Sequence, residues 1–510
     1  MKASIHERVG SIDALVDSCF TGSGIPGLAV GIVHEGRLVH VKCSGYADIE
    51  RKTPVNTCTA FRLASISKTL TTVGLLQLWE KGRFQLDEPV NKYLPKGKVV
   101  VKAGWPDVTF THLLTHQAGI GEMLQKRDLF KPGFGLLVKG RDTPVPPLST
   151  IHDKPLRPEV AAGTKYAYSN IGFSLLGYII EQLSGESFRD YMVNHVMDPL
   201  DMCHSDFLPT ARIGDCEARG YKQSFGRLVP AAYYQNIIAP AGNLISSLED
   251  MAKFAAMLLA KGALPGGSRL LKASTIDMAF TPHYWASDTL KDDVAIGLCF
   301  HLYRINGARI VEHGGATSGF TSVLSLVPSE NLALLVFCNK DEIFGPRRTQ
   351  EIKHRILTLL LGEERASGPG TSARGLASVD VTGYYGPLPG VLTNTRIIGY
   401  YGGDFKISAR GDALCLSSFY GTRRKGVELL ATGERNHFLV SNPKKPDARQ
   451  EHLSFIEDDH GRVTGLALEH FKLRKNNLAN TFRFKISLIC IVVVVGVCLM
   501  IIGTLLSTNG

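Results

Sequence analysis

Apolar positions change their spacing three times along the chain. Gly27 to His34 is almost wholly apolar, and Arg37 to Cys43 alternates behind a His34-Glu35-Gly36 turn, a pattern that reads as two paired strands. From Ser65 through Leu75, Leu76 and Leu78 the spacing becomes helical and runs to a stop at Gly82. Strand-like runs return at Ala308 to Glu312, Ser322 to Leu326 and Leu332 to Asn339. A chain that opens and closes with strands around a helical middle predicts one antiparallel sheet built from both ends, flanked by helices, in an α/β unit spanning about residues 10–362. Glu363 to Ala377, rich in Gly, Ser, Pro and Arg, reads as a linker. Residues 378–475 carry short alternating segments broken by turns such as Asp458-Asp459-His460-Gly461, the profile of a small β-barrel. Two echoes, Gly383-Tyr-Tyr-Gly386 and Gly399-Tyr-Tyr-Gly402, read as turns with aromatic plugs and are too short to define a repeat.

The last periodic element has no polar face. Ile486 to Leu506 contains no charged residue and, at 1.5 Å per residue, is long enough to span a bilayer core of about 30 Å, so a transmembrane helix is expected. Lys472, Arg474, Lys475, Arg483 and Lys485 precede it, which by the positive-inside rule puts the folded part in the cytoplasm. Met1 to Phe20 is polar and charged, with no apolar stretch of signal-peptide length. The expectation is a single-pass, tail-anchored membrane protein whose partner is the lipid bilayer.

Composition narrows the class. The net charge is +10, and the basic residues, spread along the chain, thicken toward the C-terminal end, where they suit anionic headgroups. Basic residues interleaved with aromatics, the mark of a nucleic-acid surface, are absent, so no nucleic-acid partner is expected. The 10 cysteines form no C-x-x-C pair and no metal-ligand spacing, which argues against a disulfide framework, a zinc site or any metal. His112 and His116 have i, i+4 spacing, but no H-E-x-x-H pattern accompanies them.

Three short motifs carry chemistry. In Ser65-Ile-Ser-Lys68, positions i and i+3 share a helix face, so a partly desolvated lysine can take the proton of an attacking serine hydroxyl. In Tyr168-Ser-Asn170, a phenol beside an ammonium group can relay a proton to a leaving group, and the amide can hold the lysine or the substrate carbonyl. In His313-Gly-Gly315, two glycines after the strand ending at Glu312 admit a substrate backbone, and the N–H of Ala316 would pair with that of Ser65 as an oxyanion hole. No G-x-S-x-G elbow occurs, so an α/β-hydrolase triad is not the alternative. Gln125 to Pro158, basic and Pro-rich, reads equally as a substrate-selecting lid or a solvated loop.

The order S-x-x-K, Y-x-N, strand-borne His-x-Gly resembles the class C β-lactamase and penicillin-binding protein superfamily of serine hydrolases. Supporting blocks run from Phe61-Arg-Leu-Ala-Ser65 and Gly82 to Leu94 through His112-Leu-Leu-Thr-His116-Gln-Ala-Gly119 and Pro240-Ala-Gly-Asn-Leu244 to His313-Gly-Gly-Ala-Thr-Ser-Gly-Phe320. The resemblance implies the β-lactamase/DD-peptidase-like fold over residues 10–362. It also implies that Ser65 is acylated, that Lys68 and Tyr168 share acid–base duty, that Asn170 lines the site, and that no cofactor is needed. His313 stands where β-lactamases usually place the lysine of K-T-G; a neutral histidine grips a carboxylate less well, and His-Gly-Gly is similar to the esterase and D-aminopeptidase branches. The tail resembles the lipocalin-like barrel that some members carry.

The expected activity is a serine hydrolase, an esterase or peptidase acting on a small-molecule or short peptide/ester substrate through a Ser65 acyl-enzyme. A transacylase fits the same constellation if an alcohol or amine outcompetes water. A membrane-tethered scaffold that has abandoned catalysis is the alternative from another class, and an outward-facing cell-wall DD-peptidase conflicts with the expected topology. The sequence is silent on oligomeric state.

Overall fold

A computed structural model describes residues 8–481 apart from 96–97, 123–127, 129–130, 132–134, 343–347, 363–380, 391, 412, 420–422 and 441–449. The chain divides into two units. The expected linker at 363–377 and the expected membrane span at 486–506 lie outside the described residues, as does part of the 125–158 segment. Among the described residues no helix is long and apolar enough to cross a membrane.

In the first unit, β1 (Gly27–His34), β2 (Arg37–Asp48) and β3 (Thr53–Pro54) come from the chain's beginning. The short strands β4 (Phe61–Ala64), β5 (Leu137–Lys139), β6 (Tyr221–Ser224), β7 (Arg227–Pro230), β8 (Tyr234–Asn236) and β9 (Leu244–Ser246) pair in twos as β4–β9, β5–β8 and β6–β7. Then β10 (Val294–Ile296), β11 (His301–Ile305), β12 (Ala308–Thr317), β13 (Phe320–Val327) and β14 (Leu332–Cys338) return to the large sheet. Its order is β10-β11-β12-β13-β14-β1-β2-β3, eight strands, with β14 lying antiparallel to β1. The sheet is therefore built from both ends of the unit, as the hydrophobic pattern predicts.

The continuous apolar runs have a physical cause: both faces of the sheet are covered. Along β14, Leu332, Leu334, Val336 and Cys338 enter one core with Ile12 and Val16 of α1 (Ile12–Phe20) and Ile352 and Ile356 of α6 (Arg348–Leu361). The intervening Ala333, Leu335 and Phe337 enter the other core, shared with the helical middle: α2 (Ser67–Glu80), α3 (Phe110–Leu114), α4 (Asn170–Ser184) and α5 (Leu248–Leu259). With a period of two and apolar partners on each side, no polar face survives to alternate.

The second unit holds a closed barrel of eight strands, β15 (Gly383–Pro387), β16 (Phe405–Arg410), β17 (Ala413–Ser418), β18 (Val427–Ala431), β19 (His437–Val440), β20 (Glu451–Glu457), β21 (Val463–Leu468) and β22 (Phe471–Asn476). Each strand pairs with its sequence neighbour, and β15 closes on β22. The two Gly-Tyr-Tyr-Gly stretches are not equivalent turns. The first is strand β15, with Tyr385 fully buried and its hydroxyl bonded to the Val381 carbonyl at 2.7 Å. The second ends a helix, Thr395–Tyr401, at a left-handed Gly402 with φ of 79°. Identical tetrapeptides thus sit in a strand and at a helix end, so local propensity alone does not decide them.

Candidate active site

Strand β4 leads directly into Ser65. Ala64, its last residue, has φ of 49°, a left-handed conformation that turns the chain sharply before Ser65. Ser67 Oγ fixes this turn, donating to the Ala64 carbonyl at 2.5 Å and accepting the Leu244 N–H of β9 at 2.8 Å. The helix begins at Ser67 rather than at Ser65, and Lys68 N–H bonds the Ser65 carbonyl at 3.1 Å in a one-turn step. Ser65 is therefore half-exposed, two residues ahead of the helix and between buried neighbours.

Lys68 is fully buried, and its ammonium group sits at the centre of the constellation. Nζ donates to Ser65 Oγ at 3.1 Å, to Asn170 Oδ1 at 2.8 Å and to the Ala241 carbonyl at 2.6 Å. It also lies 4.8 Å from the Tyr168 ring centroid and 5.7 Å from that of Phe173. Asn170 is delivered by the first turn of α4, whose N-cap Ser169 accepts the Gly172 N–H at 2.9 Å.

Tyr168 is held against His116. The two rings are 4.2 Å apart, and the His116 carbonyl and Nδ1 accept the N–H groups of Ala167 (2.7 Å) and Ser169 (3.1 Å), so one residue clips the strip that carries the phenol. With Nδ1 accepting, the proton of a neutral His116 ring lies on Nε2. This explains the His112/His116 spacing: α3 stops at Leu114, His116 has φ of 59°, and His112 Nδ1 instead caps its own helix by accepting the Thr109 N–H at 3.2 Å. The two rings do not share a helix face.

His313-Gly-Gly-Ala316 lies inside β12 rather than after a strand ending at Glu312. β11 pairs with β12 only as far as Glu312, so His313 to Thr317 have β13 on one edge and no β11 on the other. His313 is buried, with Nδ1 2.8 Å from the Gly314 carbonyl and its ring 6.4 Å from that of Tyr168. Gly315 has a different reason from the one its sequence context implies. A Cβ there would overlap the Leu63 carbonyl of β4, so the close approach is made by this chain's own backbone two residues before Ser65. Ser322 Oγ donates to the same carbonyl at 2.8 Å. Ala316 is exposed at the end of this edge.

Several participants lie outside the three chemistry-bearing motifs. The Ala241 carbonyl has no side-chain signature. His301, with its ring 5.7 Å from His313 and 6.3 Å from Tyr166, is brought in by β11 pairing alone. Behind β12, Glu312 is buried with Lys353 (3.1 Å), Tyr303 Oη (2.6 Å) and Ser325 Oγ. Burial pushes this carboxyl up, but the Lys353 charge and the Ser325 and Tyr303 hydroxyls outweigh that and hold it below the usual carboxylate range.

A half-exposed serine before a helix, a buried lysine on its oxygen and an open stretch of strand edge are thus brought together in the first unit. The chain belongs to the Beta-lactamase family, whose profile matches residues 12–356. It is 24% identical over 353 residues to the protein flp of Staphylococcus aureus (strain N315), a match that covers 68% of this chain and 66% of that protein's length. It is 29% identical over 264 residues to PbpX of Bacillus subtilis (strain 168), named provisionally as a penicillin-binding protein, covering 51% of this chain and 59% of that one. Among solved structures, the octameric penicillin-binding protein homologue from Pyrococcus abyssi superposes with a TM-score of 0.59 at 24% identity, over 92% of this chain and 100% of that one. The crystal structure of SurE matches with a TM-score of 0.59 at 19% identity, also over 92% and 100%. The family and the fold are thereby shown.

Proposed function

We propose that this protein is a serine hydrolase that cleaves a small ester or amide through an acyl-enzyme on Ser65. The observation that carries the reading is the 3.1 Å contact between a fully buried Lys68 ammonium and a half-exposed Ser65 hydroxyl. In its neutral form Lys68 takes the hydroxyl proton as Oγ attacks the substrate carbonyl. The N–H groups of Ser65 and Ala316 receive the oxyanion. Collapse breaks the bond to the leaving group, which takes a proton from Lys68 by way of Tyr168. Water, giving a proton to the same pair, then attacks the acyl carbonyl, and the bond to Ser65 Oγ breaks as Oγ takes that proton back, which restores the hydroxyl and neutral Lys68. Asn170 holds the Lys68 amine in line, and His313 with Gly315 shapes the edge along which the substrate lies.

The lipocalin-like reading of the second unit is supported by its closed, up-and-down strand order. Ile486 to Leu506 is proposed as a single membrane span, supported by its charge-free composition and basic flank.

The test uses the full chain and Ser65→Ala with a fluorophosphonate probe and a panel of p-nitrophenyl esters, read by intact mass and absorbance. Wild type is expected to gain one phosphonyl adduct and to turn over ester, and the alanine variant to do neither. A folded wild type that is not labelled would sink the reading and favour the non-catalytic scaffold.

A further inference from the structure

A cavity of about 230 Å³ in the first unit is lined by Arg62, Arg219, Tyr233, Ser318 and Phe320, among others. Two of these belong to elements that build the active site. Arg62 lies on β4, three residues before Ser65, a separation the backbone spans in at most about 10 Å. Ser318 lies at the turn of the β12–β13 hairpin, two residues beyond Ala316.

Arg62 is unusual for an arginine: it is 4% exposed, and among the described residues no carboxylate lies within ion-pair distance of it. Its guanidinium donates to the Tyr234 carbonyl and lies 4.6 Å from the Tyr233 ring centroid. Glu217, the carboxylate that its charge feels, is tied to Arg141 at 3.1 Å and to the Tyr233 hydroxyl at 2.7 Å. A buried guanidinium facing a cavity with most of its fork unused is costly in isolation and suited to a bidentate anion. Arg219 adds a second cation at the rim, where it pairs with Glu50 at 3.3 Å, both half-exposed. The remaining wall is aromatic and small, as a short aliphatic chain requires.

We propose that this cavity receives the carboxylate at the non-reacting end of the substrate, so that the favoured substrates are esters or amides of short dicarboxylic acids. The proposal rests on the hydrolase reading for the placement of the reacting end. The two ends are then set apart by the reach from β4 to Ser65, and Arg62 and Arg219 are specificity residues rather than catalytic ones.

The test compares mono-p-nitrophenyl glutarate and adipate with their methyl-capped counterparts on the full chain. Wild type is expected to favour the free carboxylates by about tenfold in kcat/KM, the scale of one charge-assisted contact. Arg219→Gln, on the exposed rim, is expected to cut that preference while leaving the capped esters unchanged. Arg62→Lys, which keeps the charge but loses the fork, is expected to cut it further. Equal rates for capped and free esters, or a preference that neither variant moves, would overturn the proposal with the hydrolase reading intact. Titrating glutarate into Ser65→Ala and into Ser65→Ala/Arg219→Gln separates the opposite failure. Binding that weakens in the second protein upholds the cavity even if no ester is turned over, and no binding to either protein rejects it.

Discussion

Lys68 and Lys353 are both buried lysines of the same unit, 0% and 4% exposed, but their surroundings differ in kind. Lys68 bonds a hydroxyl, an amide oxygen and a backbone carbonyl, all uncharged, and one of them belongs to a half-exposed serine. Lys353 bonds the Glu312 carboxylate and the Tyr303 hydroxyl on the opposite side of β12. Lys165 shows the direction in which burial moves a lysine. Desolvation lowers its pKa to about 8 against the pull of Glu159. A cation held by neutral acceptors can release its proton without stranding a buried anion, whereas one paired to a carboxylate cannot. On the proposed reading the same residue type serves chemistry in one place and ties a helix to a strand in the other, and the partner's charge distinguishes them.

The comparison breaks most sharply at Lys68. Lys68→Met leaves the acceptors named above uncharged, and the loss of their donor is offset by removal of a buried cation, so the fold is expected to survive. Phosphonylation of Ser65 is expected to slow by about 10³-fold or more, the scale of losing a positioned general base. Labelling at an undiminished rate would show that the lysine does not activate the serine.

Lys353→Met is the converse. It strands the Glu312 carboxylate in a closed site, and chemical denaturation is expected to register a loss of about 3–5 kcal/mol. Labelling by the fraction still folded should stay near the wild-type rate. Adding Glu312→Gln to that variant removes the orphaned charge and is expected to recover part of the loss. If the single variant is as stable as wild type, the pair is not the strut the comparison requires.

The difference between these lysines also marks what is legible in the sequence. Ser65 and Lys68 are three residues apart, so their meeting is a property of one helical turn and can be read directly. The sheet built from both ends is legible too, because a period of two buries both faces wherever partners exist. Lys353 gives no such sign, since its partner Glu312 is 41 positions away and only the packing of α6 on β12 joins them. His116 is visible but ambiguous: its spacing from His112 matters less than a contact across 52 residues to Tyr168. β12 reads short in the sequence because Gly314 and Gly315 look like a turn in one dimension. In three dimensions Gly315 is the position where a strand lets another strand's carbonyl come close.

That last point is testable by a pair of substitutions. Gly315→Ala must displace the Leu63 carbonyl, and with it the strand leading into Ser65. The expected cost is about 2–3 kcal/mol of stability, as for overpacking elsewhere, with about a tenfold slower phosphonylation from the misplaced nucleophile. At Gly314 the nearest atoms to a new Cβ are the Ser322 carbonyl at 3.6 Å and Gln350 Nε2 at 3.7 Å, an ordinary contact. Gly314→Ala is therefore expected to be nearly silent in both measurements. Equal effects at the two positions would count against a backbone contact between β4 and β12 at Gly315 alone.

The smallest effect concerns a buried group that takes no part in either lysine site. His152 is 1% exposed, with Nε2 2.9 Å from Ser174 Oγ and its ring stacked 5.7 Å from that of Tyr178. Burial pushes its pKa down from 6.5 to about 4, with the Ser174 contact opposing and Lys98 assisting. Between these values the unfolded chain binds a proton that the folded chain does not. Stability therefore rises with pH across that window, is fully present above 6.5, and is lost as pH falls toward 4. With some relaxation of the site, the loss is about 1–2 kcal/mol, given that a tenfold change in proton affinity corresponds to about 1.4 kcal/mol. His152→Gln keeps a partner for Ser174 but has nothing to protonate, so the difference between its urea midpoints at about pH 7 and about pH 5, on either side of the ordinary histidine pKa, should be smaller than in wild type. An identical difference would mean that the imidazole accepts its proton within the fold, and that burial alone does not keep a cation out of this core in the way that it lowers the Lys165 pKa to about 8.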